Sequence, residues 1–98
     1  MAHHVAPAEE LYAAILLLET PTEVHDFLAD LCTPTEVAAF ADRLHAARLL
    51  EKGITQRDVA AQTGIALGTV TRVARFLTGA GGGYRLILDR QKHAAKQK

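Results

Sequence analysis

TQRDVAAQTGIALGTVTRVARFL, residues 55–77, has the apolar and glycine spacing of two short helices crossing at a tight turn. Counted from Gln56, Val59 stands fourth, Ala60 fifth, Gly64 ninth, Ile65 tenth, Val70 fifteenth and Val73 eighteenth. Each position carries a physical requirement. Ala60 must be small where the helices cross, Gly64 supplies the positive φ of the turn, and the apolar residues bury the angle between the helices. With those side chains inside, the second helix presents Leu67, Gly68, Thr69, Thr71, Arg72 and Arg75 outward. Small, hydroxylic and arginine side chains suit a helix entering the DNA major groove. The same unit also serves as a packing or protein-binding module. The spacing therefore predicts a helix-turn-helix and favours DNA as its partner.

Charge supports that choice through its distribution, because the formal total is zero. Residues 1–42 hold eight acids and no Lys or Arg, while residues 43–98 hold all eleven Lys and Arg against Glu51, Asp58 and Asp89. Such a division points to a nucleic-acid face on the C-terminal part, or to neutralisation between the two parts within a fold or across a dimer. Only the charges beside the turn motif need face DNA.

Outside the motif the punctuation predicts an all-α chain of six helices. Pro7 opens a first helix whose Leu11, Tyr12, Ile15, Leu16, Leu17 and Leu18 are apolar nearly all round, the pattern of an element packed on two sides. Thr20-Pro21-Thr22-Glu23 and Thr33-Pro34-Thr35-Glu36 read as capping boxes with proline at the first helical position. The second helix runs through Val24, Phe27, Leu28 and Leu31. The third, the longest, carries Val37, Phe40, Ala41, Leu44 and Ala47 or Arg48 at steps of three and four, and Gly53 ends it. Thr55 caps the first motif helix, with Asp58 three residues on. Gly79-Ala80-Gly81-Gly82-Gly83 reads as a flexible loop, since no lysine-serine pair follows as a phosphate-cradling loop requires. A last helix over residues 84–95 trails into a basic end, Arg90 to Lys98, that is either frayed and solvated or lies along DNA phosphates.

At 98 residues this is one domain, residues 1–98, and a monomer of that size buries only about 60–65 % of its unfolded surface. Dimerisation through residues 8–53 would cover more, leaving 55–78 as the helix-turn-helix. A single cysteine, Cys32, excludes an internal disulfide, and no run of eighteen apolar residues or cleavable signal is visible. A cytoplasmic protein without membrane attachment is the expectation. His25, His45 and His93 stand on separate segments with no Cys or carboxylate at metal-ligand spacing, and His3-His4 reads as a disordered end, so no metal is predicted. Glu51 with Asp58, or Asp42 with His45, lies on apparent solvent faces with no nucleophile nearby, which argues against an enzyme. Cys32, flanked by leucine, reads as a packing residue rather than a redox sensor.

From Thr33 to Leu77 the chain resembles the Trp repressor family of helix-turn-helix DNA-binding proteins. The resemblance rests on Thr33-Pro34-x-Glu36, Arg43, Leu49-Leu50 with Gly53, Thr55-Gln56-Arg57-Asp58, Gly64 and Thr69-Val70-Thr71-Arg72. Arg75-Phe76-Leu77 followed by Gly81-Gly82-Gly83-Tyr84 is similar to the YerC/YecD subfamily of Trp-repressor-like proteins.

The resemblance implies an intertwined all-α homodimer with two projecting helix-turn-helix heads. It also implies a ligand pocket lined by Thr33, Arg43 and Arg72, the matches to the family's tryptophan-binding residues. Two positions depart from the pattern: a family glycine is Val73 here, and a nearby serine is Phe76. Both would occupy the ligand's volume, so the pocket is expected to be vestigial and no cofactor is predicted. Arg57 matches an arginine that reaches DNA and Thr71 a phosphate-contacting threonine, while Gln56, Leu67, Gly68 and Thr69 match the other DNA-facing positions. A lysine the family uses is Ala60 here, which argues against the tryptophan operator. The expected function is a dimeric, sequence-specific regulator of transcription on double-stranded DNA, a repressor not responsive to tryptophan. The alternatives are a protein-interaction module and a DNA-associated protein without sequence preference.

Overall fold

The computed structural model describes residues 5–79 and 81–96. His3, His4, Ala80, Gln97 and Lys98, and the expectations attached to them, lie outside the described residues. Among the described residues the chain forms six helices and no strand: α1 (Pro7–Ile15), α2 (Pro21–Leu31), α3 (Pro34–Glu51), α4 (Gln56–Thr63), α5 (Leu67–Thr78) and α6 (Gly83–Lys96). The contacts divide into two compact units, one ending at Val37 and the other beginning at Ala38, within α3.

In the first unit the threonine-proline signals act as read. The Thr33 hydroxyl accepts the Glu36 N–H at 3.1 Å while the Glu36 carboxylate accepts the Thr33 N–H at 2.8 Å, a complete reciprocal box. At α2 the Thr20 hydroxyl likewise accepts the Glu23 N–H at 3.1 Å, but the Glu23 carboxylate reaches one residue further back, to the N–H of Glu19 at 2.8 Å. α1 is shorter than the leucine run suggested. It ends at Ile15, and the N–H groups of Leu17 and Leu18 turn back to the carbonyls of Ala14 and Ile15, the tighter three-residue closure that terminates a helix without a glycine cap. Neither α1 nor α2 holds a fully buried residue, and Leu16 and Leu17 are 84 % and 77 % exposed.

The second unit contains the core. Ala46 and Ala47 of α3, Val59 of α4, Ile65 of the turn, Val70, Val73 and Leu77 of α5, and Leu88 of α6 are buried together, with Leu44, Leu49, Leu50, Ile54, Ala60 and Tyr84 packed around them. On α3 the expected Leu44 and Ala47 lie at this core, and the stripe is corrected at Phe40 and Ala41. Phe40 and Ala41 are exposed, and the buried contact falls on two adjacent alanines whose small side chains admit close approach of the neighbouring helices. Gly53 ends α3 with φ +92°: its N–H binds the Leu50 carbonyl at 3.0 Å and that of Ile54 binds the Leu49 carbonyl at 3.3 Å, the paired closure of a Schellman motif.

α6 begins at Gly83, one residue before the expected start, and continues to Lys96. It is tied to α3 by charge. Glu51, whose side chain is only 12 % exposed, pairs with Arg85 and with Lys92 at 3.1 Å, and Arg48 donates to Gln91 at 3.4 Å. Glu51 therefore does not sit on a solvent face, because two cations from α6 close over it. Lys92 belongs to the helix and to this pair rather than to a frayed end.

Candidate nucleic-acid interface and ligand cavity

α4 and α5 meet as the spacing required. Thr55 caps α4 by accepting the Asp58 N–H at 3.1 Å. At the turn Gly64 has φ +78°, the left-handed region, and its N–H closes α4 on the Ala60 carbonyl at 3.0 Å. Thr63 completes the corner: its hydroxyl donates to the Val59 carbonyl at 2.6 Å and accepts the Ile65 N–H at 3.1 Å. That clamp was not foreseen, although a threonine directly before a helix-ending glycine is its sequence signal.

Burial of Val70, Val73 and Leu77 turns the opposite side of α5 outward. Leu67, Gly68, Thr71, Arg72 and Arg75 are exposed there, as are Gln56 and Arg57 on α4, while Thr69 is half-buried. Gln56 and Thr71 are brought together, with the Thr71 hydroxyl donating to the Gln56 side-chain carbonyl at 2.8 Å. Among the described residues Arg57 and Arg75 take part in no ion pair. At the start of α5 the N-cap position is Ala66, whose side chain caps nothing, so the leading amides face outward without a side-chain acceptor.

Gly68 is informative because nothing inside the protein calls for it. Its φ is not positive, and a Cβ built on it would meet no atom within 4 Å. Glycine inside a helix costs roughly 1 kcal/mol relative to alanine. No contact within the chain therefore requires a bare backbone at this position.

A cavity of about 390 Å³ opens on another side of α5, lined by Arg43, Arg72, Val73, Phe76, Gly81, Gly83 and Tyr84. The Arg72 guanidinium lies over the Phe76 ring at 4.9 Å from its centroid, and Arg43 lies over Phe40 at 5.5 Å. Arg72 is thus part of the cavity wall as well as of the outward face. Val73 is 1 % exposed and belongs to the core. The structure brings Arg43 and Arg72 to one cavity, whereas Thr33 belongs to the first unit and spends its hydroxyl on the cap of α3. Space also remains beside Val73 and Phe76, which line the cavity without filling it. A second cavity, about 570 Å³, lies between α3 and α6 around Glu51 and Leu88. Among the described residues no three His, Cys, Asp or Glu side chains gather as a metal site, and no helix is long and apolar enough to cross a membrane.

A profile of the Trp repressor protein family matches residues 7–92, almost the whole described chain. The chain belongs to the Trp repressor family. Within it, the chain is 37 % identical over 84 residues to the uncharacterized protein YerC of Bacillus subtilis strain 168, spanning 86 % of this chain and 81 % of YerC. The fold agrees with solved structures. A TrpR-like protein from Eubacterium eligens superposes with a TM-score of 0.83 at 33 % identity, over 90 % of this chain and 91 % of the other. A Trp repressor candidate from Staphylococcus aureus does so with a TM-score of 0.84 at 35 % identity, over 91 % and 89 %. The six-helix Trp-repressor-like architecture expected from the residues is therefore the observed one. The Trp repressor family is a family of helix-turn-helix, DNA-binding regulators.

Proposed function

We propose that this Trp repressor family member is a sequence-specific regulator of transcription, a repressor that occupies a palindromic operator as a cytoplasmic homodimer and does not respond to tryptophan. The observation that carries the DNA reading is the outward face of α5. Leu67, Gly68, Thr71 and Arg75 lie exposed opposite the buried Val70, Val73 and Leu77, with Gln56 and Arg57 beside them. Gly68 allows the helix start to approach a groove without a Cβ between, and Arg57 and Arg75 offer guanidinium forks to phosphate or base edges. The exposed leucines of the first unit support the dimer, because a stable protein rarely leaves such a surface in water. A two-fold dimer presents two equal heads, so half-site centres should lie about 34–36 Å apart or at a multiple of that.

Selection of bound duplexes from a random pool, followed by salt titration, tests the reading. Arg57→Ala, Thr71→Ala and Arg75→Ala should each weaken binding with the fold intact. An arginine reading bases should cost about 1–3 kcal/mol and relax sequence preference, and a lost phosphate contact should flatten the salt slope by about one unit. Absence of any salt-dependent duplex binding would favour a protein-interaction module, and a full salt slope without sequence preference would favour a non-specific DNA-associated protein.

For the effector, Val73 in the core and Phe76 on Arg72 both work against an indole ring. Saturable, stoichiometric tryptophan binding at micromolar concentration, with tighter DNA binding in its presence, would overturn that part.

A further inference from the structure

Two of the residues lining the 390 Å³ cavity are arginines, and each already carries a ring from its own helix: Phe40 on Arg43 and Phe76 on Arg72. Among the described residues neither guanidinium has an acidic partner. Phe76 is held from a second direction by the glycine-rich loop. A Cβ on Gly81 would come within 3.3 Å of the ring's Cδ1 and 3.4 Å of the Phe76 carbonyl oxygen, so the loop backbone lies against this residue. A Cβ on Gly79 would fall 2.6 Å from the Arg75 carbonyl oxygen, too close for any side chain. Glycine is therefore required at 79, while at 81 a Cβ would meet a tight contact with Phe76. Phe76 itself remains 40 % exposed, so its ring is not part of the buried core.

We propose that Phe76 is a built-in ligand of this cavity: its ring takes the face of Arg72 that a ring-bearing small molecule would need, and it pins the glycine-rich loop to α5 with no molecule bound. The proposal rests on the reading that the chain does not answer to tryptophan, and it adds the residue that excludes such a molecule and the segment held in its place. Phe76 is then the specificity determinant of the cavity. Removing its ring should loosen residues 77–84 and at the same time create a site for an external ring.

The test uses the full chain without DNA, so a failure of the proposal and a failure of the regulatory function are read separately. Amide hydrogen exchange is followed at residues 77–84 in wild type, Phe76→Ala and Phe76→Leu, each with and without millimolar indole. Phe76→Ala should exchange about tenfold faster there, and indole should return it toward the wild-type rate. Phe76→Leu keeps an apolar side chain but no π face. It should exchange about two- to fivefold faster, the amount a partly exposed cation–π contact supplies, and should not respond to indole. Wild type, whose cavity is open but whose Arg72 already carries the Phe76 ring, should bind indole more weakly than Phe76→Ala. Unchanged exchange in both variants would overturn the proposal, as would indole binding equally to wild type and Phe76→Ala, or accelerated exchange in Phe76→Ala that indole leaves untouched. Should Phe76→Ala fail to fold, the Phe76→Leu exchange rate decides alone: no acceleration refutes the ring's role.

Discussion

Glu51→Gln removes one negative charge from beneath α6 and changes almost nothing in shape. In the native chain the Glu51 side chain is 12 % exposed, while its partners Arg85 and Lys92 keep 47 % and 60 % of theirs in water. The asymmetry sets the magnitude. Breaking a fully buried ion pair costs about 3–5 kcal/mol because an unpaired charge is left behind. Here the two stranded groups are cations that can turn to solvent, so that penalty is largely avoided. What is lost is the difference between charge-assisted and ordinary hydrogen bonds, about 1.5–3 kcal/mol against 0.5–1.5, discounted for the wet partners. A loss of about 1–2 kcal/mol is expected, read as a lower urea midpoint at matched protein concentration with an unchanged slope. The same free energy should appear locally as roughly 5–30-fold faster amide exchange in residues 85–92. Lys92→Ala alone should cost less, because Arg85 still neutralises the carboxylate, and its effect should largely vanish in the Glu51→Gln background. An unfolding free energy within about 0.3 kcal/mol of wild type, with α6 exchange unchanged, would show that the helix is held by Leu88 and its apolar neighbours and that the carboxylate is a spectator.

Val73→Ala should lower stability by about 1–2 kcal/mol, the loss of two buried methyl groups partly offset by alanine's higher helix propensity; an unchanged unfolding midpoint would remove Val73 from the core. Gly64→Ala should cost about 1–2 kcal/mol through backbone conformation alone, since its Cβ would meet no neighbour within 4 Å, and a neutral result in the same assay would contradict the left-handed turn. The chain should sediment as a dimer at micromolar concentration, and replacing exposed Leu16 and Leu17 by Ser should shift it toward monomer; a folded wild-type monomer under those conditions would refute the assembly.

The parts of this fold that could be read in the sequence are those governed by neighbours a few residues apart. Gly64 must turn the chain, Thr33 and Glu36 must answer each other across one helical turn, and Val59, Val70 and Val73 must share a side. Each requirement is local, so spacing expresses it. Glu51 was misplaced because its partners come from α6, and nothing around residue 51 announces them. Ala46 lies off the expected stripe because small apolar residues contribute little to a hydrophobic pattern, although close helix approach selects them. The end of α1 was missed for the opposite reason, since Leu16 to Leu18 continue the apolar run past the last helical turn. At the candidate site Val73 and Phe76 were legible as departures from the family pattern. That they border an open cavity rather than fill it depended on the path of the glycine-rich loop, which composition does not specify.

The hydrogen bond between Thr71 and Gln56 bears on how proteins of this kind could change their preferred sites over evolutionary time. Most of the outward face of α5 is decoupled from the core, so, on the proposed DNA reading, substitutions at Leu67 or Arg75 could explore new base preferences with little penalty to folding. Position 71 is different. A replacement there removes the protein partner of the exposed Gln56 side chain on the other helix, and a replacement of Gln56 removes that of the exposed Thr71 hydroxyl, so each residue sets the orientation of the other. On the proposed DNA reading, drift at this corner should therefore favour paired exchange, with single-site intermediates that hold their fold but lose the mutual orientation of the two side chains. Single-site libraries across α5 would undersample that route, whereas libraries varying residues 56 and 71 together would reach specificities that neither position attains alone.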